Sequence, residues 1–222
     1  MLALIIAEAS LETVPKEIAK HVSVVKHAFR KGKSVQEVLL DRSYHHAAML
    51  KLPNGSRRGR PDLVHFALLE ATATPLYRKG MLEIYVHTIG DKVIFLYDSV
   101  RLPKSYFRFE ALMEGLFREK QVRSNDKLLM EVKNMSFVDL LKIIKKARVV
   151  GLSRTGLKSS SEEVAINLDD NSALVVGGFP RGHFSSKIYN GLDLVYSIGD
   201  YSLEAHVVIA RLLYEYEKKL KL

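Results

Sequence analysis

The sequence contains no cysteine among its 222 residues, and this absence excludes several kinds of chemistry. Disulfide bonds, thiolate nucleophiles and cysteine-bound zinc all need a thiol, so none of them can operate in this protein. A chain without cysteine also suits a reducing compartment. Acidic residues are the second shortage: 25 Asp and Glu stand against 34 Lys and Arg, and the net charge of +9 favours a polyanionic partner.

Several common functional signatures are missing as well. The chain has no G-x-x-x-x-G-K-[ST] phosphate loop, no G-x-S-x-G elbow and no H-E-x-x-H motif. His45, His46 and His65 therefore fit core or surface positions better than metal ligands, and we expect no metal. The apolar opening MLALIIAEAS lacks a charged n-region and is too short to span a bilayer. It predicts a first strand, and no association with a membrane is expected.

Two glycine-containing loops near the C-terminus are the main indication of a ligand site. Gly177–Gly182 and Ile198–Tyr201 each follow an apolar strand-like run, within a pattern of strand, loop, short helix, strand, loop and long helix. The spacing G-G-x-x-x-G, interrupted by Pro180, is not a Rossmann fingerprint. A single glycine could serve only a tight turn. Two such loops after successive strands favour a small-molecule site at the carboxyl ends of the strands.

The rest of the chain predicts a single α/β domain, with a mostly parallel sheet and one antiparallel hairpin. In chain order we expect a helix after Pro15, a helical stretch over Val35–Leu52, a helix between Pro61 and Pro75, a hairpin of Met81–His87 and Lys92–Tyr97, helices after Lys104 and Ser136, a strand at Arg148–Gly151 and a polar loop at Ser153–Ser161. Two helices carry apolar stripes that should be buried. The stripes are Ile18, Val22, Val25 and Phe29 in the first helix, and Ala205, Val208, Ile209, Leu212 and Tyr216 in the last.

Two arginine-rich segments favour RNA as the polyanion. The first is the basic loop Lys51–Arg60, with Arg57, Arg58 and Arg60, and the second contains Arg101, Lys104 and Arg108 at i, i+3 and i+7. If a helix begins at Lys104, the second set shares one face. Guanidinium groups bind phosphate and stack on bases, and Tyr44, Tyr106 and Phe107 interleave with them. Either segment alone could be a solvated surface, but both together with the net charge favour RNA binding.

Asp62 has two interpretations. It follows Arg60-Pro61 at a predicted helix start, where the helix dipole favours a carboxylate. Alternatively, it orients an arginine or accepts a proton beside an RNA base. The residue types alone leave both interpretations open.

Four ordered motifs carry a resemblance to a known family. They are Arg60-Pro61-Asp62-Leu63-Val64-His65, Arg101-Leu102-Pro103-Lys104 with Arg108, Val175-Val176-Gly177-Gly178-Phe179 with Gly182, and Ser197-Ile198-Gly199-Asp200-Tyr201-Ser202-Leu203. Over essentially the whole chain, these motifs resemble the small-subunit rRNA pseudouridine-N1-methyltransferases, the nucleolar-essential-protein family of ribosome biogenesis. Without the extensions of eukaryotic members, the chain is more similar to an archaeal member.

The resemblance implies a fold and partners. The fold is that of the SPOUT, or α/β-knot, methyltransferases: a mostly parallel sheet with a C-terminal trefoil knot and an added hairpin and helix extension. Residues 1–222 would form one domain, with the RNA-binding elaboration at residues 40–125 and the knotted, cofactor-binding part at residues 148–222. The resemblance further implies a homodimer that acts on small-subunit ribosomal RNA. It would work in the cytoplasm beside the ribosome, or in the nucleolus of a eukaryote.

The resemblance also implies site residues. S-adenosylmethionine would be bound by Leu152, Ser153, Gly156, Gly177, Gly182, Ile198, Gly199, Asp200, Tyr201, Ser202 and Leu203. The RNA would be bound by Arg60, Asp62, Arg101, Lys104 and Arg108, with Asp62 and Arg60 as the catalytic pair. Lys104 departs from the family, where arginine is commoner; it keeps the charge and loses bidentate binding. Our hypothesis is that Asp62, held by Arg60, accepts the base proton or positions the base.

Other functions compete with this one. The chain could be a non-catalytic rRNA-binding assembly factor, a SPOUT enzyme acting on tRNA, or an enzyme of small phosphorylated metabolites. The two glycine loops argue against a pure RNA binder, which has no need of them. The two separate arginine segments argue against a small substrate.

Overall fold

The computed structural model describes residues 1–97 and 100–222, and within them eight strands form one sheet. The strands are β1 (Leu2–Ala9), β2 (Leu82–Thr88), β3 (Lys92–Leu96), β4 (Gln121–Ser124), β5 (Lys127–Asn134), β6 (Arg148–Lys158), β7 (Ser172–Gly177) and β8 (Leu194–Ser197). Their order across the sheet is β4-β5-β3-β2-β1-β7-β6-β8. β1 pairs in parallel with β2 and β7, and β6 pairs in parallel with β7 and β8. β2, β3, β5 and β4 pair antiparallel in that order, so the α/β fold with an antiparallel extension is confirmed.

Helices cover both faces of this sheet. They are α1 (Val22–Arg30), α2 (Arg42–Met49), α3 (Pro61–Ala73), α4 (Pro75–Arg78), α5 (Tyr106–Glu119), α6 (Phe137–Ile144), α7 (Ser161–Ile166), α8 (Ser186–Tyr189) and α9 (Ala205–Leu220). Short 3-10 turns lie at Lys16–Ile18, Val35–Glu37 and Gly55–Arg57. No helix of the described residues is long and apolar enough to cross a membrane.

The central strand β1 is buried on both faces, as strands between parallel neighbours usually are. Leu4 and Ile6 belong to one core with apolar residues of α3 and α9, and Ala3 and Ile5 belong to a second core with residues of α6 and α8. Each fully buried Leu or Ile contributes about 1.5–3 kcal/mol, so this double burial fixes the position of β1. The C-terminal end of β1 is therefore held firmly beside the loop that follows β7.

The predicted stripe of the last helix is confirmed. Val208, Ile209, Leu212 and Tyr216 are buried, and Ala205 at the helix start is half-buried. α9 packs along α3, so the C-terminal helix lies against the helix that begins at Pro61.

The predicted stripe of the first helix is wrong. After Pro15 the chain forms only a 3-10 turn, and α1 begins at Val22 with His21 as its N-cap. This break changes the helical phase, so Val24 and Ala28 point inward. Ile18 is buried as expected, but Val22, Val25 and Phe29 are 63%, 46% and 85% exposed.

Three other segments differ from the sequence expectation. Val35–Leu52 is not one helix, because a 3-10 turn and buried Val38–Leu40 precede α2, whose N-cap is Asp41. The expected polar loop after Gly151 is instead a continuation of β6 to Lys158, paired with β8. The β4–β5 hairpin was not predicted, although its turn residues Asn125 and Asp126 have the positive φ that such turns need. The trefoil knot concerns chain threading, which strand pairing does not determine, so it stays a prediction.

Candidate functional site

A cavity of about 370 Å³ lies at the carboxyl ends of β7 and β8, beside Leu152–Arg154 of β6, where the pairing of β6 with β8 shifts register. This is where ligands bind in open α/β sheets, and the volume is that of a small-ligand site. Its walls include nine of the eleven residues that were predicted to bind a cofactor. These are Leu152, Ser153, Gly177, Gly182, Ile198, Gly199, Tyr201, Ser202 and Leu203. The two glycine loops therefore meet at one cavity.

The other two predicted cofactor residues lie outside the cavity walls. Gly156 packs on β8, where a Cβ atom would lie 2.6 Å from the carbonyl oxygen of Val195, so the close strand approach itself requires glycine. Asp200 is exposed and pairs with Lys158 at 3.0 Å, beside a shallower neighbouring hollow. Direct contact of either residue with a cofactor stays a prediction.

The loop after β7 is fixed to the end of β1. Gly178 donates its N–H to the carbonyl of Ala7 and accepts from the N–H of Ser10, both at 2.8 Å. A Cβ atom on Gly178 would lie 2.7 Å from Ile6, so this glycine allows the close approach. Gly182 has φ +94°, a conformation that favours glycine. These contacts fix the loop in the position where it forms a wall of the cavity.

Several wall residues were not singled out from the sequence. They include Leu63 at the start of α3, Arg154 of β6, Phe179, Arg181, His183 and Phe184 of the loop after β7, and Glu204 before α9. Phe179 and Arg181 lie within the first glycine loop, Gly177–Gly182, so their position in the sequence could have suggested them. Leu63 lies inside the motif that contains Arg60 and Asp62, and Glu204 directly follows the predicted cofactor residue Leu203, so the positions of both could have suggested them. The wall thus combines apolar side chains with one carboxylate and several cations.

Arg60 and Asp62 form a fixed pair on the rim of the cavity. Arg60 is itself a wall residue and is the N-cap of α3, with Pro61 in the first helical position. Its Nε donates to Oδ1 and Oδ2 of Asp62 at 2.8 and 3.1 Å, and its Nη2 donates to Oδ2 at 2.7 Å. These bonds raise the pKa of Arg60. The predicted contact between the two residues is confirmed as geometry, while their catalytic role stays a prediction.

We call Arg101, Lys104 and Arg108 the cationic arm. All three are exposed, and none forms an ion pair within residues 1–97 and 100–222. Their predicted alignment on one helical face is wrong, because α5 begins only at Tyr106 with Ser105 as its N-cap. Ser105 has an extended backbone, with φ −73° and ψ 126°, so Lys104 lies before the helix and not in it. Phe107 lies beside the arm with 69% of its surface exposed.

Two buried contacts position the cationic arm. The Nε2–H of His65 donates to the carbonyl oxygen of Pro103 at 2.7 Å, and the imidazole stacks on Phe109 at 4.3 Å. The hydroxyl of Tyr106 donates to the carboxylate of Asp41, and burial raises the pKa of that hydroxyl, so it stays a donor. The arm is thereby attached to α3, which begins with Arg60 and Asp62, and to the cap of α2.

Arg57 and Arg58 were expected to face RNA, and the structure corrects this expectation. Arg57 bonds Glu8 at 2.8 Å, and its guanidinium lies 4.0 Å from the ring centre of Phe179. Arg58 forms a bidentate pair with Glu12 at 2.7 and 2.6 Å. Both charges are therefore neutralised within the protein.

The histidines that were considered as metal ligands take up other positions. His45 is fully buried, bonds His27 through its Nε2 at 2.9 Å, and accepts the N–H of Asp41 at its Nδ1. Burial lowers the pKa of His45 to about 4. His65 is buried against Phe109, and His46 is exposed. No group of His, Asp and Glu residues in the described part of the chain could hold a metal ion.

Comparison with known proteins agrees with this arrangement. The family model of EMG1/NEP1 methyltransferases matches residues 4–217. The chain is 43% identical over 211 residues to the ribosomal RNA small subunit methyltransferase Nep1 of Sulfurisphaera tokodaii, with 95% of this chain and 94% of the relative covered. It is 38% identical to the protein of the same name from Thermococcus sibiricus, with 99% of both chains covered. These relatives are archaeal, as the sequence resemblance led us to expect.

A solved structure has the same fold. It is the crystal structure of Archaeoglobus fulgidus Nep1 bound to S-adenosylhomocysteine, which is 36% identical and superposes with a TM-score of 0.89, with 99% of both chains covered. The match extends through the sheet and the antiparallel extension alike. The chain belongs to the EMG1/NEP1 methyltransferase family.

Proposed function

We propose that this protein transfers a methyl group from S-adenosylmethionine to N1 of a pseudouridine in small-subunit ribosomal RNA, during assembly of that subunit. One observation carries the proposal: Arg60 is a wall residue of the cavity and also the partner of Asp62, beside the cationic arm. A ligand in the cavity and a base held at Arg60 would therefore be neighbours. The relatives named for small-subunit rRNA methylation support the choice of RNA.

The cavity residues fit this cofactor. Leu152, Leu203 and Val208 offer apolar surface for an adenine ring, and the carboxylate of Glu204 suits a positively charged ligand. Apart from Gly199 itself and its two chain neighbours, no described atom lies within 4 Å of the position that a Cβ on Gly199 would take, so this backbone is open to a ligand. The crystal structure of the Archaeoglobus fulgidus relative contains S-adenosylhomocysteine, the demethylated form of the cofactor. Ser153 and Ser202 would provide hydroxyl groups for orientation.

The chain's own residues mainly align the reacting atoms. S-adenosylmethionine supplies an electrophilic methyl group on a sulfonium sulfur, so correct placement can contribute about 7–11 kcal/mol. Arg101, Lys104 and Arg108 would hold phosphates, and a flipped base costs a few kcal/mol to unstack. Phe107 offers an exposed ring on which a base can stack.

We propose that Asp62 takes the proton from N1 of the base. Its Oδ2 accepts two hydrogen bonds from Arg60, whereas Oδ1 accepts one and keeps a free lone pair. Single-turnover methylation by Asp62→Asn at saturating RNA tests this role. A general base predicts a rate loss of about 10²–10⁴-fold, and a rate near that of the wild type would leave Asp62 only a positioning role.

Methyl transfer from labelled cofactor tests the function as a whole. The substrates are small-subunit rRNA fragments with uridine or pseudouridine at the candidate position, and a tRNA transcript. We expect label on the pseudouridine fragment alone. Label on tRNA would favour the alternative SPOUT substrate. Cofactor binding by calorimetry separates an enzyme from an assembly factor without one, because a pure RNA binder would show no heat with S-adenosylmethionine.

We also propose that the protein acts as a homodimer in the cytoplasm, with residues 40–125 as the RNA-binding part and residues 148–222 as the cofactor-binding part. An exposed face on α3 and α9 supports the dimer: Phe66 is 49% exposed and packs edge-on against His206, and Tyr214 is 60% exposed on the same side of α9. Light scattering on Phe66→Glu should show monomers. Phe107→Glu, an equally drastic change on the arm, should stay dimeric.

A further inference from the structure

Glu8 has an unusual backbone conformation for its position. It lies near the end of β1 with φ +49°, in the left-handed region that non-glycine residues rarely adopt. The regular pairing of β1 with β2 is interrupted between Ile6 and Ala9. Such conformations persist only where the surroundings impose them, and they concentrate at functional sites. The side chain of Glu8 is also almost completely buried.

The carboxylate of Glu8 joins two loops. Its Oε2 accepts from Nη2 of Arg57 at 2.8 Å and from the N–H of Ser185 at 3.1 Å. Arg57 belongs to the basic loop, and Ser185 ends the segment that forms the cavity wall after β7. The left-handed backbone at Glu8 thus places its carboxylate where the two loops meet.

Arg57 extends this junction to the cavity wall itself. Its guanidinium lies over the ring of Phe179 at 4.0 Å, and its Cδ lies 4.0 Å from where a Cβ on Gly182 would be. Both Phe179 and Gly182 are wall residues, whereas Arg57 and Glu8 are not. The carbonyl of Arg57 accepts from the hydroxyl of Ser10, which fixes the loop backbone as well.

The same loop leads directly to the proposed RNA site. Arg60 follows Arg57 by three residues and is the N-cap of α3. Between them, the carbonyl of Gly59 accepts the N–H of Arg42. A displacement of Arg60 on RNA binding would therefore be transmitted to the guanidinium of Arg57. Cation–π and buried ion contacts depend steeply on geometry, so Phe179 would respond.

We propose that Glu8 and Arg57 are positioning residues that couple RNA binding at Arg60 to cofactor binding in the cavity. This inference rests on the proposed function, because it takes the cavity as the cofactor site. RNA at Arg60 stabilises the loop geometry in which Arg57 supports Phe179 and Gly182. Cofactor affinity then rises with RNA present, and by reciprocity RNA affinity rises with cofactor present.

Calorimetry with S-adenosylhomocysteine tests the coupling. The dissociation constant is measured without RNA and with a saturating small-subunit rRNA fragment, and the ratio of the two is the coupling factor. We expect a factor of about five or more in the wild type. Glu8→Gln and Arg57→Lys should bring it close to one, because they remove the charge or the planar fork. Phe179→Leu should do the same while leaving the ion pair intact.

Glu12→Gln is the matched control. Glu12 lies on the same side of the basic loop and forms a comparable pair with Arg58, but neither residue is a wall residue of the cavity or contacts Phe179. The control should keep the wild-type coupling factor. If Glu8 and Arg57 had only a structural role, the variants would raise the dissociation constant of S-adenosylhomocysteine equally with and without RNA. The coupling factor would then be unchanged.

The outcomes separate this inference from the proposed function. If the wild type binds no S-adenosylhomocysteine, the proposed function fails, and the coupling fails with it. If the wild type binds the cofactor and methylates RNA but has a coupling factor of one, only the inference is overturned. An unchanged factor in Arg57→Lys, or an equal loss in Glu12→Gln, overturns it as well. Should Glu8→Gln fail to fold, Arg57→Lys and Phe179→Leu decide.

Discussion

The basic loop and the cationic arm contain similar residues and use them differently. In the basic loop, Arg57 and Arg58 pair with Glu8 and Glu12, and both pairs are largely shielded from water. In the arm, Arg101, Lys104 and Arg108 are exposed, with no acidic partner among the described residues. The number of cations in a sequence segment therefore does not by itself determine its electrostatic attraction for RNA.

The difference teaches where a polyanion can bind. A guanidinium that already holds a carboxylate bidentately gains little from a phosphate, because the exchange needs an equally good partner for the carboxylate. Free cations release counterions from the nucleic acid and so gain affinity. The net charge of +9 thus acts on RNA mainly through its unpaired part. Arg60, through which the basic loop meets the cavity, is itself paired with Asp62, so it would meet RNA together with that carboxylate and not as a free phosphate-binding cation.

The largest expected effect comes from removing the charges of the arm. Arg101→Ala, Lys104→Ala and Arg108→Ala together should weaken RNA binding by about 2000-fold, since three charge-assisted contacts of about 1.5 kcal/mol each sum to about 4.5 kcal/mol. The slope of log affinity against log salt should fall by about 2. Fluorescence anisotropy at several salt concentrations measures both quantities.

A control for this variant removes the same charge elsewhere. Lys16, Lys20 and Lys26 are exposed and form no ion pair within the described residues, and their triple alanine variant has the same net charge. If it lost as much RNA affinity as the arm variant, the attraction would be a property of total charge. The distinction between paired and free cations would then not explain binding.

The junction between the two regions should be sensitive to acid. The carboxylate of Asp41 accepts a hydrogen bond from the hydroxyl of Tyr106, the first residue of α5. The backbone N–H of Asp41 donates to Nδ1 of His45. Since burial lowers the pKa of His45 to about 4, the unfolded chain binds a proton below about pH 6.5 that the folded protein does not. The free energy of unfolding should therefore fall between pH 6.5 and 4, by up to about 3 kcal/mol from this residue.

Urea unfolding across this pH range measures the effect. His45→Gln should flatten the acid side of the stability profile, whereas His46→Gln, a change at the exposed neighbour, should keep it. A profile of His45→Gln that parallels the wild type would show that other groups cause the acid sensitivity.

The smallest effect concerns the paired arginines. Arg58→Ala leaves the shielded carboxylate of Glu12 without its partner and should lower the free energy of unfolding by about 1–3 kcal/mol. Arg108→Ala should change it by less than about 0.5 kcal/mol. RNA affinity should show the opposite order, nearly unchanged for Arg58→Ala and reduced for Arg108→Ala. Equal losses of RNA affinity in the two variants would contradict the comparison.

The sequence predicted what local pattern encodes. Gly177–Gly182 and Ile198–Leu203 each follow an apolar strand, so parallel strands bring both loops to one edge of the sheet, and the structure has them in one cavity. The pairing of Arg60 with Asp62 was predictable because only Pro61 separates them.

Long-range packing explains what the sequence did not reveal. Glu8 and Glu12 lie 49 and 46 residues before Arg57 and Arg58, so no local pattern shows that those arginines are paired. The prediction for the first helix was wrong for another reason. A three-residue 3-10 turn before Val22 changed which side chains of the helix face the core. The prediction of one helical face for the arm was wrong because the backbone is still extended at Ser105, and α5 begins only at Tyr106.

A crystal structure with S-adenosylhomocysteine and a pseudouridine-containing rRNA fragment tests the central claim most directly. The account predicts the cofactor in the cavity between the two glycine loops, the target base at Arg60 and Asp62, and RNA phosphates on Arg101 and Arg108. A cofactor bound elsewhere, or RNA phosphates on Arg57 and Arg58 with the arm left free, would contradict it.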